Sequence, residues 1–348
     1  MKINARACEL RLADPWKIAG KSGGGVHQSV VLELADAAGL TAFGEAAPAA
    51  VYGESAAGVL KFLSQLDGAT LSFADVAGSM AWLDKIPGLP AAARCAVNVA
   101  LLDGAARRAG QSLCDFLGLG FREREHVTSY SIGLDAPERI RAKVAAAAPF
   151  PVLKLKVGDP RDRENFAALR AIAPDKPVRL DANEAWKSKE EALRALEWFA
   201  AMDRRIQLVE QPLPRAAREA DLKWLKARSP LPLFADEACH TARDIPRCAE
   251  GFHGVNVKLV KTGGVSLAVE TLKAARQAGL RTMIGCMIET SVLISAAAHL
   301  AELADYLDLD GNLLITNDPF AGVTASQGVL SFATASEKSG LRVSRRGS

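Results

Sequence analysis

The feature that most constrains this chain is a repeat that starts after about residue 125. Short apolar runs with β-like alternation take turns with helical stretches, as in "VLKLKVG" then "RENFAALRAIAP", or "PVRLDAN" then "SKEEALRALEWFAAM". A polar residue or a glycine stands at or near the end of each run. Lys156, Asp181, Glu210, Asp236, Lys258, Gly285 and Asp310 follow one another at intervals of 25, 29, 26, 22, 27 and 25 residues. Two parallel strands need a crossover of a dozen or more residues, usually a helix, so this interval is the length of one βα unit. Strands that each carry chemistry at their C-terminal end describe an α/β fold of the (β/α) TIM-barrel type, whose active face collects residues from successive strands. A doubly wound open sheet is the alternative. It gathers its site at one switch point and would not recruit from strand after strand.

The first third of the chain has a different rhythm. Residues 1 to about 50 alternate in short β-like pieces with a turn at 37–39, and residues 54–118 turn helical. Strands followed by helices read as a separate α+β unit. The expected division is 1–122 for that domain, 123–315 for the barrel, and a closing segment 316–348 that returns to the first domain.

Composition narrows the class. Of the 348 residues 49% are hydrophobic and 24% charged, which suits a globular protein with a sizeable core. A net charge of +3 leaves no footprint for nucleic acid or an anionic membrane. The longest apolar run, "MIGCMIETSVLISAAAHLAELA", holds Glu289 and His299 and reads as strand plus helix. Six scattered cysteines with no C-x-x-C pair exclude a disulfide framework or structural zinc and point to a reducing cytoplasm. "MKINARACELRLADP" has no apolar centre, so no secretory signal is expected. Nothing in the sequence sets the oligomeric state, and a homo-oligomer is compatible with it.

Three acids, Asp181, Glu210 and Asp236, come from consecutive strands. Converging carboxylates repel and lose hydration, and a cation between them relieves both costs. Oxygen-only ligation with room for substrate suits Mg²⁺ rather than zinc. Side chains repeat every second residue along a strand, so Lys154 and Lys156 face the same way, amid Val152, Leu153, Leu155 and Val157. Each is expected to disfavour charge on the other, and a lysine acts as a base only when its pKa is lowered. Lys258 lies four βα units on, half-way round an eight-stranded barrel. One lysine on each side of a metal-held substrate suits removal of a proton α to a carboxylate, with the charge stabilised as an enediolate. An acid on the opposite face can return the proton with inversion.

The ordered set "KLK", "LDAN", "VEQP", "ADE" and "VNVKLVKTGG" resembles the enolase superfamily and, within it, the muconate-lactonising-enzyme subgroup. "GEAAPAAVYGES" is similar to that family's capping domain and "GCMIETS" to its seventh-strand segment. The resemblance implies Asp181, Glu210 and Asp236 as ligands of one Mg²⁺, Lys156 and Lys258 as the acid/base pair, and Lys154 as support for the enolate. "LDLDGN" resembles the D-x-D pair with which dipeptide epimerases hold an α-ammonium group, which implies that Asp308 and Asp310 bind substrate. The implied activity is epimerisation of a dipeptide at its C-terminal α-carbon, with L-Ala-D/L-Glu, a peptidoglycan fragment, as the foremost substrate. A cycloisomerase or lyase of the muconate cycloisomerase or o-succinylbenzoate synthase type shares the fold and is the rival. The loop near 17–29, "KIAGKSGGGVHQS", is expected to cover the barrel mouth with Lys21 toward the substrate, and Ser131 in "SYSIGL" is expected to line the pocket.

Overall fold

Eight parallel strands follow one another around a barrel in strict chain order. In the computed structural model, which describes residues 1–15, 17–18, 21–22 and 24–347, they are Tyr130–Ile132, Leu153–Lys156, Val178–Asp181, Ile206–Glu210, Leu233–Ala235, Gly254–Lys258, Arg281–Gly285 and Tyr306–Asp308. Thr128 forms a parallel bridge with Leu307, and the Ser129 N–H donates to the Leu307 carbonyl at 3.1 Å, so the eighth strand meets the start of the first. The strands are buried almost without interruption, as parallel strands are when helices cover one face and a packed interior the other. Leu153, Leu155, Val178 and Leu180 pack into the large apolar core. Their sequence neighbours Lys154, Lys156, Arg179 and Asp181 therefore point into the barrel.

Register turns that alternation into layers. Lys154 pairs with Arg179, Lys156 with Asp181, and Asp181 with Glu210, so the charged side chains of the second, third and fourth strands stand side by side at one level. On the other wall Lys258 pairs with Gly285 and Gly285 with Asp308.

Before the barrel comes a three-stranded antiparallel sheet of Lys2–Arg11, Val26–Ala35 and Thr41–Ala46. The tight turn between its second and third strands needs Gly39 at φ +84°, a region open to glycine at no steric cost. The alanine-rich helix Ala91–Arg108 is buried along most of its length. It lies so close to the third strand that a Cβ on Gly44 would stand 2.0 Å from the Ala96 carbonyl oxygen. Its other side meets the barrel, where Asn98 donates to Ser266 Oγ at 2.9 Å and Arg94 donates to the Gly263 carbonyl at 2.7 Å.

Two further devices hold the sheet to the barrel. Glu45, fully buried at the end of the third strand, accepts from Ser29 Oγ at 2.6 Å, Thr290 Oγ1 at 2.6 Å and the Thr290 N–H at 3.0 Å. Thr290 is the N-cap of the helix Ser291–Ala298 that follows the seventh strand, so a carboxylate stands where that helix presents free N–H groups. In the closing segment Phe320–Ala321 pairs antiparallel with Ser344–Arg345, and the Leu341 N–H donates to Asp103 Oδ1 at 2.8 Å. Arg345 forms an ion pair with Glu33 of the sheet. No helix among the described residues is long and apolar enough to cross a membrane.

Candidate active site

A cavity of about 690 Å³ lies between the C-terminal ends of the barrel strands and the loop 47–52. That loop, together with His27 and Gln28, covers it from the sheet side. From the barrel it receives Ser131, Lys154, Lys156, Asp236, Lys258, Asp308 and Asp310. Asp181 and Glu210 are fully buried just beneath, reached through the lysines. The sequence-derived candidates thus come together, with the exception of Lys21, whose side chain lies outside the described residues.

Lys156 and Lys258 stand on the second and sixth of eight strands, on facing walls. Lys156 Nζ is 2.6 Å from Asp181 Oδ2, and Lys258 Nζ is 2.8 Å from Asp236 Oδ2. Lys154 Nζ lies between three carboxylates: Asp181 at 3.0 Å, Glu210 at 2.7 Å and Asp308 at 2.7 Å. The depression of the Lys154 pKa by its neighbour Lys156, expected from the sequence, is outweighed in the structure, and Lys258 on the opposite wall is raised in the same way. Burial pulls both down, yet the surrounding carboxylates outweigh it and hold both ammonium groups well above the ordinary range. Opposite charges at hydrogen-bond distance act more strongly than a like charge further off.

The acids differ from one another. Burial raises the Asp181 pKa, but Lys154 and Lys156 reverse this and hold it at about 2. Lys258 and Lys261 likewise hold Asp236 well below the usual range against its burial. Glu210 is left short of positive charge: burial and then Asp181 push it up to about 8. Its Oε1 accepts from Asn256 Nδ2 at 2.7 Å, while Oε2 makes only the ion-pair approach to Lys154. Beside it, Asn183 Oδ1 and Glu237 Oε2 are buried without a hydrogen-bond partner among the described residues.

Oxygen donors only, three buried carboxylates from adjacent strands, one of them undercompensated, and two orphaned acceptors next to Asp181 and Asp236 are what a hard divalent cation requires. These residues fit Mg²⁺. Among the described residues no three such side chains already stand as a metal cage, because the ammonium groups lie between the acids.

The eighth strand carries Asp308, and Asp310 follows it. Both are buried at the cavity edge. Asp308 accepts from Ser129 Oγ at 2.6 Å and from Lys154 Nζ at 2.7 Å. Asp310 accepts from the Ser131 N–H at 2.6 Å. Ser131 therefore contributes its backbone to an aspartate as well as its side chain to the wall.

Several contributors escaped the sequence reading. Lys261 is buried and donates to the Asp236 carbonyl and carboxylate and, at 3.0 Å, to the Asn256 carbonyl. Gln211 Oε1 accepts from the Asp236 N–H at 3.0 Å and the Ala238 N–H at 3.1 Å, tying the end of the fourth strand to the fifth. Gln211, Asn183 and Glu184 have φ of +38°, +42° and +67°, left-handed conformations that strain a side-chain-bearing residue and concentrate where ligands bind. The available signal was polarity in the wrong place. Lys261 sits in the apolar run "VNVKLVKTGG", and Asn183 and Gln211 follow candidate acids by two residues and one.

Residues 137–316 match the family described as enolase C-terminal domain-like, and residues 2–118 match the N-terminal domain described as mandelate racemase / muconate lactonizing enzyme. An L-Ala-D/L-amino acid epimerase from Pedosphaera parvula is 57% identical over 345 residues, 99% of either chain. The structure of a substrate-liganded complex of the L-Ala-D/L-Glu epimerase from Bacillus subtilis superposes with a TM-score of 0.90 at 28% identity, covering 98% of this chain and 97% of that one. A dipeptide epimerase from Enterococcus faecalis V583, complexed with Mg and L-Leu-L-Tyr, superposes with a TM-score of 0.89 at 29% identity over 99% of both chains.

Proposed function

This chain belongs to the mandelate racemase / muconate lactonizing enzyme family, with an enolase-like C-terminal domain, and from that premise we propose that it is a dipeptide epimerase that inverts the α-carbon of the C-terminal residue, with L-Ala-D/L-Glu as substrate. The observation that carries this reading is the placement of Lys156 and Lys258 on opposite walls of one cavity, with buried carboxylates between them. A lysine on each face of a planar carbon is the minimum equipment for removing a proton from one side and returning one to the other.

In this reading the substrate carboxylate points toward the acids at the strand ends and its ammonium toward the eighth strand. Asp181, Glu210 and Asp236 hold one Mg²⁺ per subunit. When bound, that ion supplies Lewis acidity toward the substrate carboxylate and so acidifies the α-hydrogen. Lys154 donates toward the carboxylate as charge moves onto it. For one diastereomer Lys156 takes the proton while Lys258 gives one. The roles exchange for the other diastereomer. The loop 47–52 and the apolar side chains of Met287, Ile288 and Leu314 keep bulk water from the reacting carbon. A peptide of this kind arises from peptidoglycan, which suits a role in its recycling in the cytoplasm.

The test is direct. The protein is incubated with L-Ala-L-Glu and MgCl₂ in D₂O, and the dipeptide is analysed by mass spectrometry and chiral chromatography. The reading expects deuterium at the glutamyl α-carbon together with L-Ala-D-Glu, both lost when EDTA is added. Absence of exchange from both diastereomers at saturating Mg²⁺ sinks it.

A further inference from the structure

The seventh strand breaks the pattern of the barrel mouth. The second to sixth strands carry Lys156, Asp181, Glu210, Asp236 and Lys258 at or next to their C-terminal ends, whereas the seventh ends on Gly285. Gly285 pairs with Lys258, so it stands at the level of the charged side chains. Its φ lies outside the left-handed region, so the backbone does not demand glycine there. Space does: a Cβ would stand 2.6 Å from Asn256 Oδ1 and 2.7 Å from Asn256 Nδ2. The room left by the missing side chain is filled by an amide from the neighbouring strand. Asn256 precedes Lys258 by two residues on the sixth strand, faces the same interior and is fully buried. Its Nδ2 donates to Glu210 Oε1 at 2.7 Å, and its carbonyl accepts from Lys261 at 3.0 Å. Its Oδ1 has no hydrogen-bond partner among the described residues. A buried amide with one polar atom unpaired is a poor choice for packing alone, so the bond to Glu210 is what the residue is there to make.

The same division runs through all three acids. Asp181 Oδ1 accepts from the Asn183 N–H at 3.0 Å, Glu210 Oε1 from Asn256, and Asp236 Oδ1 from Lys261. Their other oxygens meet the lysines that line the cavity. Asp181 Oδ2 lies 2.6 Å from Lys156, Glu210 Oε2 2.7 Å from Lys154 and Asp236 Oδ2 2.8 Å from Lys258. Each carboxylate thus has one oxygen engaged by the surrounding framework and one turned to the lysines.

Resting on the reading that these acids hold Mg²⁺, we propose that Asn256, seated in the space left by Gly285, is a positioning residue that confines Glu210 to a single ligating oxygen and so sets the preference of the site for Mg²⁺ over Ca²⁺. Ca²⁺ gathers about six to eight oxygens in a flexible shell and accepts a carboxylate through both of its oxygens, whereas Mg²⁺ demands a compact octahedron. Turning Glu210 to present both oxygens to a cation would break its 2.7 Å bond to the Asn256 amide. Groups that orient a ligand from behind tune the metal as the ligand itself does. Gly285 belongs to the same device, because any side chain there would push the amide off its seat.

Wild type, Asn256→Leu and Gly285→Ala are each titrated with MgCl₂ and, separately, with CaCl₂ by isothermal calorimetry in the absence of dipeptide. Wild type should bind Mg²⁺ more tightly than Ca²⁺. Asn256→Leu keeps the bulk of the side chain and removes the donor, so the ratio of the two affinities should move toward Ca²⁺ by about tenfold or more. Gly285→Ala keeps the asparagine but displaces it, and should move the ratio in the same direction. The double variant should move it no further than Asn256→Leu alone, because both changes act through one contact. General damage to the fold weakens both cations in proportion and leaves the ratio where it was. An unchanged ratio in folded Asn256→Leu therefore overturns the proposal, as does a wild type that binds Ca²⁺ as tightly as Mg²⁺. If circular dichroism shows that Asn256→Leu does not fold, an unchanged ratio in Gly285→Ala overturns it equally well. Failure of the underlying reading looks different: wild type would bind neither cation and exchange no deuterium from the dipeptide, whereas failure of this proposal alone leaves Mg²⁺-dependent exchange intact.

Discussion

At the scale of the residue, the site works by pairing most buried charges with another and leaving a few groups short. Asp236 shows how much support one acid receives. Lys258 and Lys261 contact its carboxylate, Lys261 also its carbonyl, and Gln211 its N–H. Removing one partner of a buried charge pair leaves the other uncompensated and displaced. Lys261→Met is therefore expected to weaken Mg²⁺ binding about tenfold by isothermal titration calorimetry, with the far-UV circular dichroism of wild type; unchanged affinity in a folded variant would remove Lys261 from the account. The charged candidates themselves were legible in the sequence because lysines and acids at β-like alternation in apolar company have few bland explanations. Lys261 and Gln211 were not. A polar side chain that serves a neighbour through backbone contacts leaves no spacing to recognise, and the strained φ of Gln211 is invisible before the backbone is drawn.

At the scale of the element, the informative contact is between the third strand of the sheet and the helix Ser291–Ala298. Glu45 satisfies the helix N-terminus, and Glu289, two residues before that helix, is buried close enough to oppose it. Burial raises the Glu45 pKa to about 7 and that of Glu289 to about 8, from an ordinary 4.5. The folded protein thus holds more protons than the unfolded chain across this window, so stability is highest at the acid end and falls as pH rises from about 5 to about 8. Glu289→Gln keeps an acceptor for the Met287 N–H and removes the titration. Its urea midpoints should fall less steeply, by on the order of 2 kcal/mol over that range; a slope identical to wild type would mean Glu289 is ionised in the folded state. Gly44 makes the complementary point about packing. With a Cβ 2.0 Å from the Ala96 oxygen, Gly44→Ala forces strand and helix apart and should cost about 3 kcal/mol of unfolding free energy in urea titration. The contact between Glu45 and Thr290 spans 245 residues and has no local signature in the sequence.

At the scale of the whole molecule, the barrel was the most legible feature. Its strands announce themselves by a regular interval, and parallel order follows from the crossover length each interval allows. The attachment of residues 316–348 was harder to read: Asp103 accepts from both Phe43 and Leu341, and neither bond is implied by periodicity. Cation binding gives a global readout. A ligand that binds only the folded state stabilises it by mass action, and at about 100 times its Kd the gain is about 2.7 kcal/mol. Calorimetric scans with MgCl₂ should show the midpoint raised by about 4 °C, and EDTA should return it. An unmoved midpoint at millimolar Mg²⁺ would argue that the acids keep their lysines and take no metal.

The central claim is that Lys156 and Lys258 address opposite faces of one carbon, and stereospecific exchange in the two single variants tests it most directly. Lys156→Ala and Lys258→Ala are each incubated in D₂O with MgCl₂ and either L-Ala-L-Glu or L-Ala-D-Glu, and α-deuterium is counted by mass spectrometry. Each variant should lose epimerisation by about a thousandfold or more, and each should still exchange the α-hydrogen of one diastereomer, the two variants choosing opposite ones. Exchange of the same diastereomer by both variants would place the two lysines on one face and contradict the account.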